Sequence, residues 1–587
     1  MRTDENLNHE QRSQRELLST EVSRTTAVAT SWVFVGLLVL IPLAQLILDS
    51  RQGEKPAALT LFDPLREMAE RISQKDPAGV WSSTATLFSR QHLRSFEERL
   101  ESTSAVRNFF QPRIQQVLTG VLGFGNHKGV VGLNGWLYYQ QGVDYVIGRD
   151  LLDEDHLRVT TKRMLDRQGI DDPQPDPRPA LEALARFCAG SGIHLVVLPI
   201  PDKAMIQPAQ LTRRLALRRP LQPLDNAGFA RLSNGLKVNG VDVFNPAPRQ
   251  VSSSEIRYLR QDTHWTPRFM EETAQAVAAH VRRVVDLPAT SRPVRYRTVA
   301  RSVRRVGDLV DMLKLPIDQN LFRPEQIEIH QVVDNDSGRL WESDEQADVL
   351  LLGDSFTNIY SDPGMGWGEG AGLAEHLSLS LGRPVRVIAQ NGGGVLGVRE
   401  EWARALRSSD APWPQVVIYE FAVRDLIGEN WRSVAYPAGQ PAQARLPLRF
   451  SKPQPVPVTA AVKPVAAPDL PSPASAVGEL VVVGAVTKNS AVPEPNTAPY
   501  KDCLTLIKLR VEKVESGSYE NGEIIAAFLA MIDNRLLPPA RYSAGDRFRL
   551  HLIPLRRADK QIRSMQRADD LGDFELKPYY VIAEDKL

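Results

Sequence analysis

The sequence predicts an α/β domain, a parallel sheet with helices on both faces, set between an N-terminal transmembrane helix and a small C-terminal all-β domain. Three observations carry that reading. Five short, continuously apolar runs recur between residues 180 and 430, with helical sequence between them. Strands buried on both faces read this way, as unbroken apolar runs rather than alternations. The stretch Thr25–Leu48 contains no charged residue. Ten of the 42 prolines fall between Pro437 and Pro473, dividing two regions of globular composition.

Taken in order, residues 1–24 read as a cytoplasmic tail and 25–48 as a transmembrane signal anchor, since about 20 apolar residues cross the hydrocarbon of a bilayer. The run is too long for a cleaved signal peptide. Its flank, Leu48-Asp49-Ser50-Arg51, offers no small-residue cleavage site. Arg12, Arg15 and Arg24 precede the span and Arg51 and Lys55 follow it, a slight positive-inside bias. A short leading segment before one span places the bulk of the chain outside the cytoplasm, in the periplasm of a cell with an inner membrane. Residues 55–130 form a mostly helical lead-in, with apolar residues near helical spacing among charges. Asn134-Gly135, between apolar runs, signals a hairpin turn.

The α/β domain occupies 131–435. Its strand candidates are 193–200, 241–245, 348–353, 385–390 and 415–421. Residues 436–476 form the proline-rich linker, with too little apolar content between prolines for a core. Residues 477–587 resume as short strands parted by Gly, Asn, Pro and Ser turns, a barrel or a sandwich.

Composition narrows the function. Lys and Arg number 71 against 70 Asp and Glu, a net charge of +1, which excludes a nucleic-acid binder working through a basic surface. Two cysteines exclude a disulfide scaffold and a Cys-rich zinc site. Cys188 and Cys503 are either a pair in an oxidising compartment or two separate buried thiols. No GxxxxGK[ST] phosphate loop is present, and no cofactor or metal is read from the sequence.

Three patches carry chemistry. Leu351-Leu352-Gly353-Asp354-Ser355-Phe356-Thr357 ends a buried strand and starts a helix, where open α/β sheets bind ligands. Ser355 there is a candidate nucleophile, and the turn offers backbone N–H groups to an oxyanion. A plain helix cap is the competing reading for Asp354 or Ser355. In Asp262-Thr263-His264-Trp265-Thr266-Pro267, Thr266 and Pro267 mark a helix start. Asp262 and His264, at i and i+2 of extended chain, point the same way, so the carboxylate can set the tautomer of a base. A structural His held by a local Asp is the alternative. Asn391-Gly392-Gly393-Gly394 follows a third strand; Asn391 and Gly392 are candidate oxyanion or substrate contacts, or a simple turn. Together the patches supply nucleophile, base, orienting acid and oxyanion donor at strand ends of one sheet.

The motifs GDSF, DTHW, NGGG and YEFAVRDL resemble the AlgJ/AlgX family of polysaccharide O-acetyltransferases, as do GLNGWLYY at 132–139, LPIPDKAMIQP at 198–208 and GMGWGEGAGLAEHLS at 364–378. The resemblance covers about 100–430. It implies an SGNH-hydrolase-like, flavodoxin-like fold in which the Asp-x-His pair precedes the serine. It assigns Ser355 as nucleophile, His264 as general base and Asp262 as orienting carboxylate. Tyr419, Glu420 and Arg424 match the family's late WExxxR-like stretch, Tyr419 standing where Trp is usual; Arg424 equally suits a salt bridge at a strand end. Trp265 either stacks on a sugar or packs. The implied activity is acetyl transfer to an exported polysaccharide, with the acetyl group supplied by a membrane-bound O-acyltransferase (MBOAT-like) partner. The same triad in an acetylesterase, or a non-catalytic glycan-binding or assembly protein, are the alternatives.

Overall fold

A single 28-residue helix, α1 (Arg24–Arg51), contains the whole charge-free stretch in this computed structural model. At 1.5 Å per residue it is roughly 40 Å long, and none of its apolar window is buried by protein. It is the one helix among the described residues long and apolar enough to cross a membrane. The described residues are 23–51, 57–73, five single positions between 89 and 100, and 104–587, except 169, 171, 217–221, 249–250, 252–254, 290–293, 408–412, 438–479, 494–501, 560–561, 564, 570 and 572–575. Most of the predicted cytoplasmic tail, part of the helical lead-in and nearly all of the proline-rich linker therefore lie outside the described residues. The chain forms two compact units, Met1–Ile114 and Gln115–Leu587. In the lead-in, helices α2 (Asp63–Ser73) and α3 (Ala105–Leu122) are present.

After α3 comes a hairpin, β1 (Gly129–Val131) against β2 (Leu137–Tyr139). Asn134 and Gly135 sit at φ 53° and 77°, the left-handed region that Asn and Gly tolerate best. Helix α4 (Pro177–Gly190) leads into β3 (His194–Ile200), and α5 (Phe229–Val238) connects it to β4 (Asp242–Val243). Helix α6 (Pro267–Val284) is capped by Thr266, with Pro267 at its first turn, as the sequence signal requires. It buries Phe269, Met270, Thr273, Ala274, Val277, Ala278 and Val281, one face at helical spacing. An antiparallel arm follows, β5 (Tyr296–Arg305) with β6 (Glu325–Asp334), paired over ten positions. Then come β7 (Val349–Gly353), α7 (Ser355–Asn358), α8 (Leu373–Leu381), β8 (Arg386–Ala389), α9 (Gly394–Arg407) and β9 (Val416–Ala422).

All five apolar runs are strands of one sheet, in the order β4-β3-β9-β7-β8, every pairing parallel. β9 and β7 are buried at every position, which is why their sequences show no alternation. In chain order this sheet is 2-1-5-3-4. Counted instead from the serine-bearing β7, through β8, β9, β3 and β4, it is 2-1-3-4-5, the flavodoxin-like order. The chain is thus a circular permutation of that arrangement, and permutation is what puts the Asp-x-His segment ahead of the serine. The site lies at the carboxyl ends of β7 and β9, between which the order reverses.

The C-terminal domain is a barrel. β10 (Leu480–Asn489), β11 (Cys503–Ser516), β12 (Glu523–Ile532), β14 (Arg547–Pro554) and β16 (Pro578–Lys586) close the ring β10-β11-β12-β16-β14-β10. Of the five pairings in this ring only β12–β16 is parallel. The short strands β13 (Arg535–Leu536) and β15 (Gln566–Ala568) extend β12 and β11. This is a five-stranded Greek-key barrel of OB type. Val482, Val486, Ile507, Leu509, Phe528, Phe548 and Leu550 are among the residues filling one core cluster. Cys188 and Cys503 are separate buried thiols, not a disulfide.

Candidate active site

Ser355 is the first residue of α7, directly after β7, and Asp354 is the cap: its Oδ1 accepts the Phe356 N–H at 2.7 Å. Capping thus falls to Asp354 and leaves the Ser355 hydroxyl available. That hydroxyl lies 2.8 Å from His264 Nε2. His264 Nδ1 lies 2.6 Å from Asp262 Oδ1, which also accepts the His264 backbone N–H at 3.1 Å. Asp262, His264 and Ser355 are 2%, 1% and 9% exposed. The structure therefore brings the three residues into one hydrogen-bonded line, with the tautomer in which Nε2 faces the serine.

The other oxygen of Asp262 accepts Trp367 Nε1–H at 2.8 Å and the Asp308 N–H at 3.1 Å. Burial pushes this carboxyl up, but the His264 contact and these donors outweigh it and hold it well below the usual carboxylate range. Asp308 goes the other way. Burial and then the charge of Asp262 push it up to about 7. Its oxygens accept the Thr263 N–H at 2.8 Å and the Thr263 hydroxyl at 2.6 Å, and Oδ2 stands 3.9 Å from His264 Nδ1. Lys203, also buried, donates to the carbonyls of Arg260 at 2.9 Å and Asp262 at 3.0 Å, clamping the segment that carries the acid and base. Burial pushes its ammonium down to about 8.

Asp262, His264 and Asp308 offer ligand atoms within 4.8 Å of one another. They do not suit a metal. Two ligands at about 2.0–2.2 Å on one tetrahedral ion sit more than ~3 Å apart, whereas Nδ1 and Oδ1 are 2.6 Å apart, the spacing of a shared proton.

The remaining sequence candidates fall at different distances from the chemistry. Asn391 is 5% exposed; its oxygen accepts Asn358 Nδ2 at 2.9 Å and its nitrogen donates to Asp362 at 3.0 Å, tying the glycine loop to α7. Gly392 is exposed at φ 67°. Trp265 is fully buried, edge-on to Phe356 and Phe269, so it packs and presents no face to a sugar. Tyr419, grouped with the substrate contacts, is corrected for the same reason: it is fully buried and its hydroxyl donates to the Val395 carbonyl at 2.6 Å, holding the first turn of α9. Arg424 is 8% exposed and pairs with Asp202 at 3.1 Å, the salt-bridge alternative at a strand end. Glu420 lies beneath the nucleophile turn, accepting the Asp354 N–H at 3.0 Å and the Thr357 hydroxyl at 2.7 Å. Burial and the neighbouring Asp354 keep its carboxyl well above the usual range.

The family model for the SGNH hydrolase-like domain of acetyltransferase AlgX matches residues 130–423. The chain belongs to that family. It carries an SGNH hydrolase-like acetyltransferase domain. The probable alginate O-acetylase AlgJ of Azotobacter vinelandii is 24% identical over 312 residues, 52% of this chain and 71% of that protein. The probable alginate O-acetylase AlgJ of Pseudomonas aeruginosa is 27% identical over 213 residues, 34% of this chain and 46%, less than half, of that protein. The solved O-acetyltransferase domain of Pseudomonas putida AlgJ is 21% identical, covers 52% of this chain and 93% of that domain, and has a TM-score of 0.36.

Within this domain, motif reading missed Asp308, Trp367 and Lys203 as supports of the acid–base pair. Trp367 and Lys203 lie inside stretches that carried the family resemblance. Asp308 follows Gly307 in no motif, and only the antiparallel arm brings it to Asp262.

Proposed function

We infer that this protein is a membrane-anchored periplasmic O-acetyltransferase that modifies an exported polysaccharide through an acetyl-serine. The observation that carries this is the continuous line Asp262–His264–Ser355, at 2.6 and 2.8 Å. The relatives, named as alginate O-acetylases, favour a polysaccharide acceptor. The apolar helix α1 suits an inner-membrane anchor, and an MBOAT-like partner would deliver the acetyl group across that membrane.

In the first half-reaction the Ser355 proton passes to His264 Nε2 as Oγ bonds to the acetyl carbonyl carbon. The carbonyl oxygen takes the negative charge, facing the Ser355 backbone N–H and the Asn391–Gly392 loop. The bond to the donor's leaving group then breaks, and that group takes the proton from Nε2. In the second half-reaction a sugar hydroxyl gives its proton to Nε2 and attacks the acetyl-serine. The Ser355 oxygen leaves and recovers the proton. Asp262 holds the imidazole and balances its transient charge throughout.

The test uses the full chain in detergent with 4-nitrophenyl acetate, with and without an alginate oligosaccharide. Nitrophenol release lost in Ser355→Ala, with acetylated oligosaccharide formed by wild type alone, supports the reading. Release with no acetylated sugar from any alginate oligosaccharide or neutral glucan points to an acetylesterase. Equal behaviour of wild type and Ser355→Ala in both assays rejects the acetyl-serine.

A further inference from the structure

We propose that Arg567, in the C-terminal barrel, is a positioning residue for the Asn391–Gly394 loop of the acetyltransferase site. The proposal rests on the acetyl-serine reading, because it assigns that loop a part in holding the acetyl oxygen.

Two hydrogen bonds to one oxygen form the connection. Arg567 Nη1 donates to Glu401 Oε2 at 2.8 Å, and Gln390 Nε2 donates to the same oxygen at 2.6 Å. Glu401 lies on α9, the helix that follows the glycine loop, and Gln390 immediately precedes Asn391. The other end of the Gln390 amide is pressed against the backbone of the loop and the first turn of α9. A Cβ added to Gly393 would stand 2.6 Å from Gln390 Oε1, and one added to Gly397 would stand 2.3 Å away. Gln390 also receives the Gly393 N–H at its carbonyl, 3.4 Å, and its own N–H donates to Gly353, at the end of the strand that precedes the nucleophile turn. Asn391 completes the path through Asn358 and Asp362 to α7. The position of the Gln390 amide thus sets the height of the loop relative to Ser355.

Glu401 needs a cation where it lies. Burial pushes its carboxyl up, and Arg567 is the largest influence holding it below the usual range. Arg567 is itself held, its second nitrogen donating to the Arg563 carbonyl at 2.6 Å, and its side chain is 8% exposed. A second interdomain pair, Arg404 with Asp569 at 3.2 Å, flanks the first.

The barrel's own architecture explains why it serves this purpose. OB-type barrels take ligands on the outer face of their second and third strands, here β11 and β12. That face is covered. Leu504, Leu506, Ile525 and Ala527 pack under Leu555, Met565 and Leu571 of the segment between β14 and β16. The same segment turns Arg567 and Asp569 toward α9. The surface that would read an oligosaccharide in other barrels is covered by the segment that carries Arg567 and Asp569.

The test compares Arg567→Met, Arg567→Lys, Asp569→Asn and the double variant Arg567→Met/Glu401→Gln with wild type, all as full chains in detergent. 4-Nitrophenyl acetate is the donor and an alginate oligosaccharide the acceptor. Arg567→Met is expected to lower kcat between about 10-fold and 100-fold, the cost of sub-ångström to 1 Å misplacement of a reacting group, with the acceptor KM unchanged. In the double variant the introduced amide removes the stranded charge while its oxygen still accepts from Gln390, so most of kcat returns. Asp569→Asn, which loosens the docking without touching Gln390, stays near wild type. If Arg567→Met does not fold, Arg567→Lys decides: a folded protein with wild-type kcat overturns the proposal, a reduced kcat sustains it. Wild-type kcat in Arg567→Met overturns it too, as does a raised acceptor KM at constant kcat, which would mark Arg567 as a glycan contact. An equal fall in Asp569→Asn also overturns it in favour of docking alone. Ser355→Ala is run alongside; activity surviving there removes the acetyl-serine reading first, and the positioning role with it.

Discussion

Replacing Asp262 by Asn changes one atom and tests the whole arrangement of the acid–base pair. The carboxylate accepts four hydrogen bonds: His264 Nδ1 and N on one oxygen, Trp367 Nε1 and the Asp308 N–H on the other. All four partners donate. An amide offers one accepting oxygen and one donating nitrogen, so two donors must face another donor in either orientation. If the nitrogen faces His264, the imidazole moves its proton to Nε2 and no longer accepts from Ser355. If it faces Trp367 and Asp308, the buried indole and amide N–H are stranded, at roughly 1–3 kcal/mol each, which drives the first orientation. The same substitution in the serine-protease triad costs about 10⁴-fold in kcat, and four factors of ten correspond to roughly 5.4 kcal/mol of barrier. We expect Asp262→Asn to fold, to melt within a few degrees of wild type, and to lose about four orders of magnitude in nitrophenol release. ¹⁵N spectra of the histidine ring should report Nε2 protonated in the variant. A kcat within tenfold of wild type, or a ring still protonated at Nδ1, would refute the argument.

Asp308→Asn should flatten the pH dependence of stability. The folded carboxyl titrates near 7 and the unfolded one near about 3.9, so the folded state holds the proton more tightly. That contribution is full below the unfolded value and is lost as pH rises through about 7. Thermal melts from pH 4 to 8 should show wild type falling relative to the variant; a constant difference would count against a buried, protonated Asp308. In Gly353→Ala the new methyl would stand 2.2 Å from Thr357 Oγ1 and 2.7 Å from Glu420 Oε2. We expect a loss of about 1–3 kcal/mol from overpacking, partly recovered by adding Thr357→Ala; melting equal to wild type would mean the turn relaxes freely. If α1 is an anchor, the full chain stays in the membrane pellet through alkaline carbonate washing, and deletion of residues 1–50 releases it; a full chain extracted by carbonate would end the anchor reading.

What the sequence made legible follows from how each element meets its surroundings. β7 and β9 are buried on both faces, so their apolar runs are unbroken and stand out. Thr266-Pro267 announces α6 because a cap and a first-turn proline are local requirements. Asp262 and His264 are two residues apart, so their contact too is local. The arm β5–β6 was invisible: β5 is half-exposed or exposed throughout, and its Arg-rich sequence reads as a solvated segment. With the arm went Asp308, which lies between its strands and reaches Thr263 from 45 residues away. The barrel's strands were readable singly, but its closure depends on β12 meeting β16 in parallel, a pairing no local pattern encodes. Tyr419 was legible as an aromatic position near the site and not as a fully buried one, since burial on a central strand is a property of the assembled sheet; for Trp265 the packing reading is the one that holds.

Permutation gives Arg424 a role that its place near the serine obscures. The base arrives on the β3–β4 half of the sheet and the nucleophile on the β7–β9 half, so the Ser355–His264 distance depends on the seam between β3 and β9. In that seam Ile200 faces Ala422. Two residues beyond each lie Asp202 and Arg424, joined at 3.1 Å and exposed by only 2% and 8%. Asp202 also caps the short helix that begins with Lys203, accepting the Ala204 N–H at 3.0 Å, and Lys203 holds the Asp262 carbonyl. On the other side the Arg424 guanidinium lies 5.2 Å from the ring of Phe356, the residue after the nucleophile. Arg424 therefore staples the two halves at the level of the chemistry. Arg424→Met leaves Asp202 buried without its cation, which typically costs about 3–5 kcal/mol, and adding Asp202→Asn should restore much of the melting temperature and kcat together. An arginine that instead anchors the acceptor would raise the acceptor KM at constant melting temperature, and the second substitution would recover nothing.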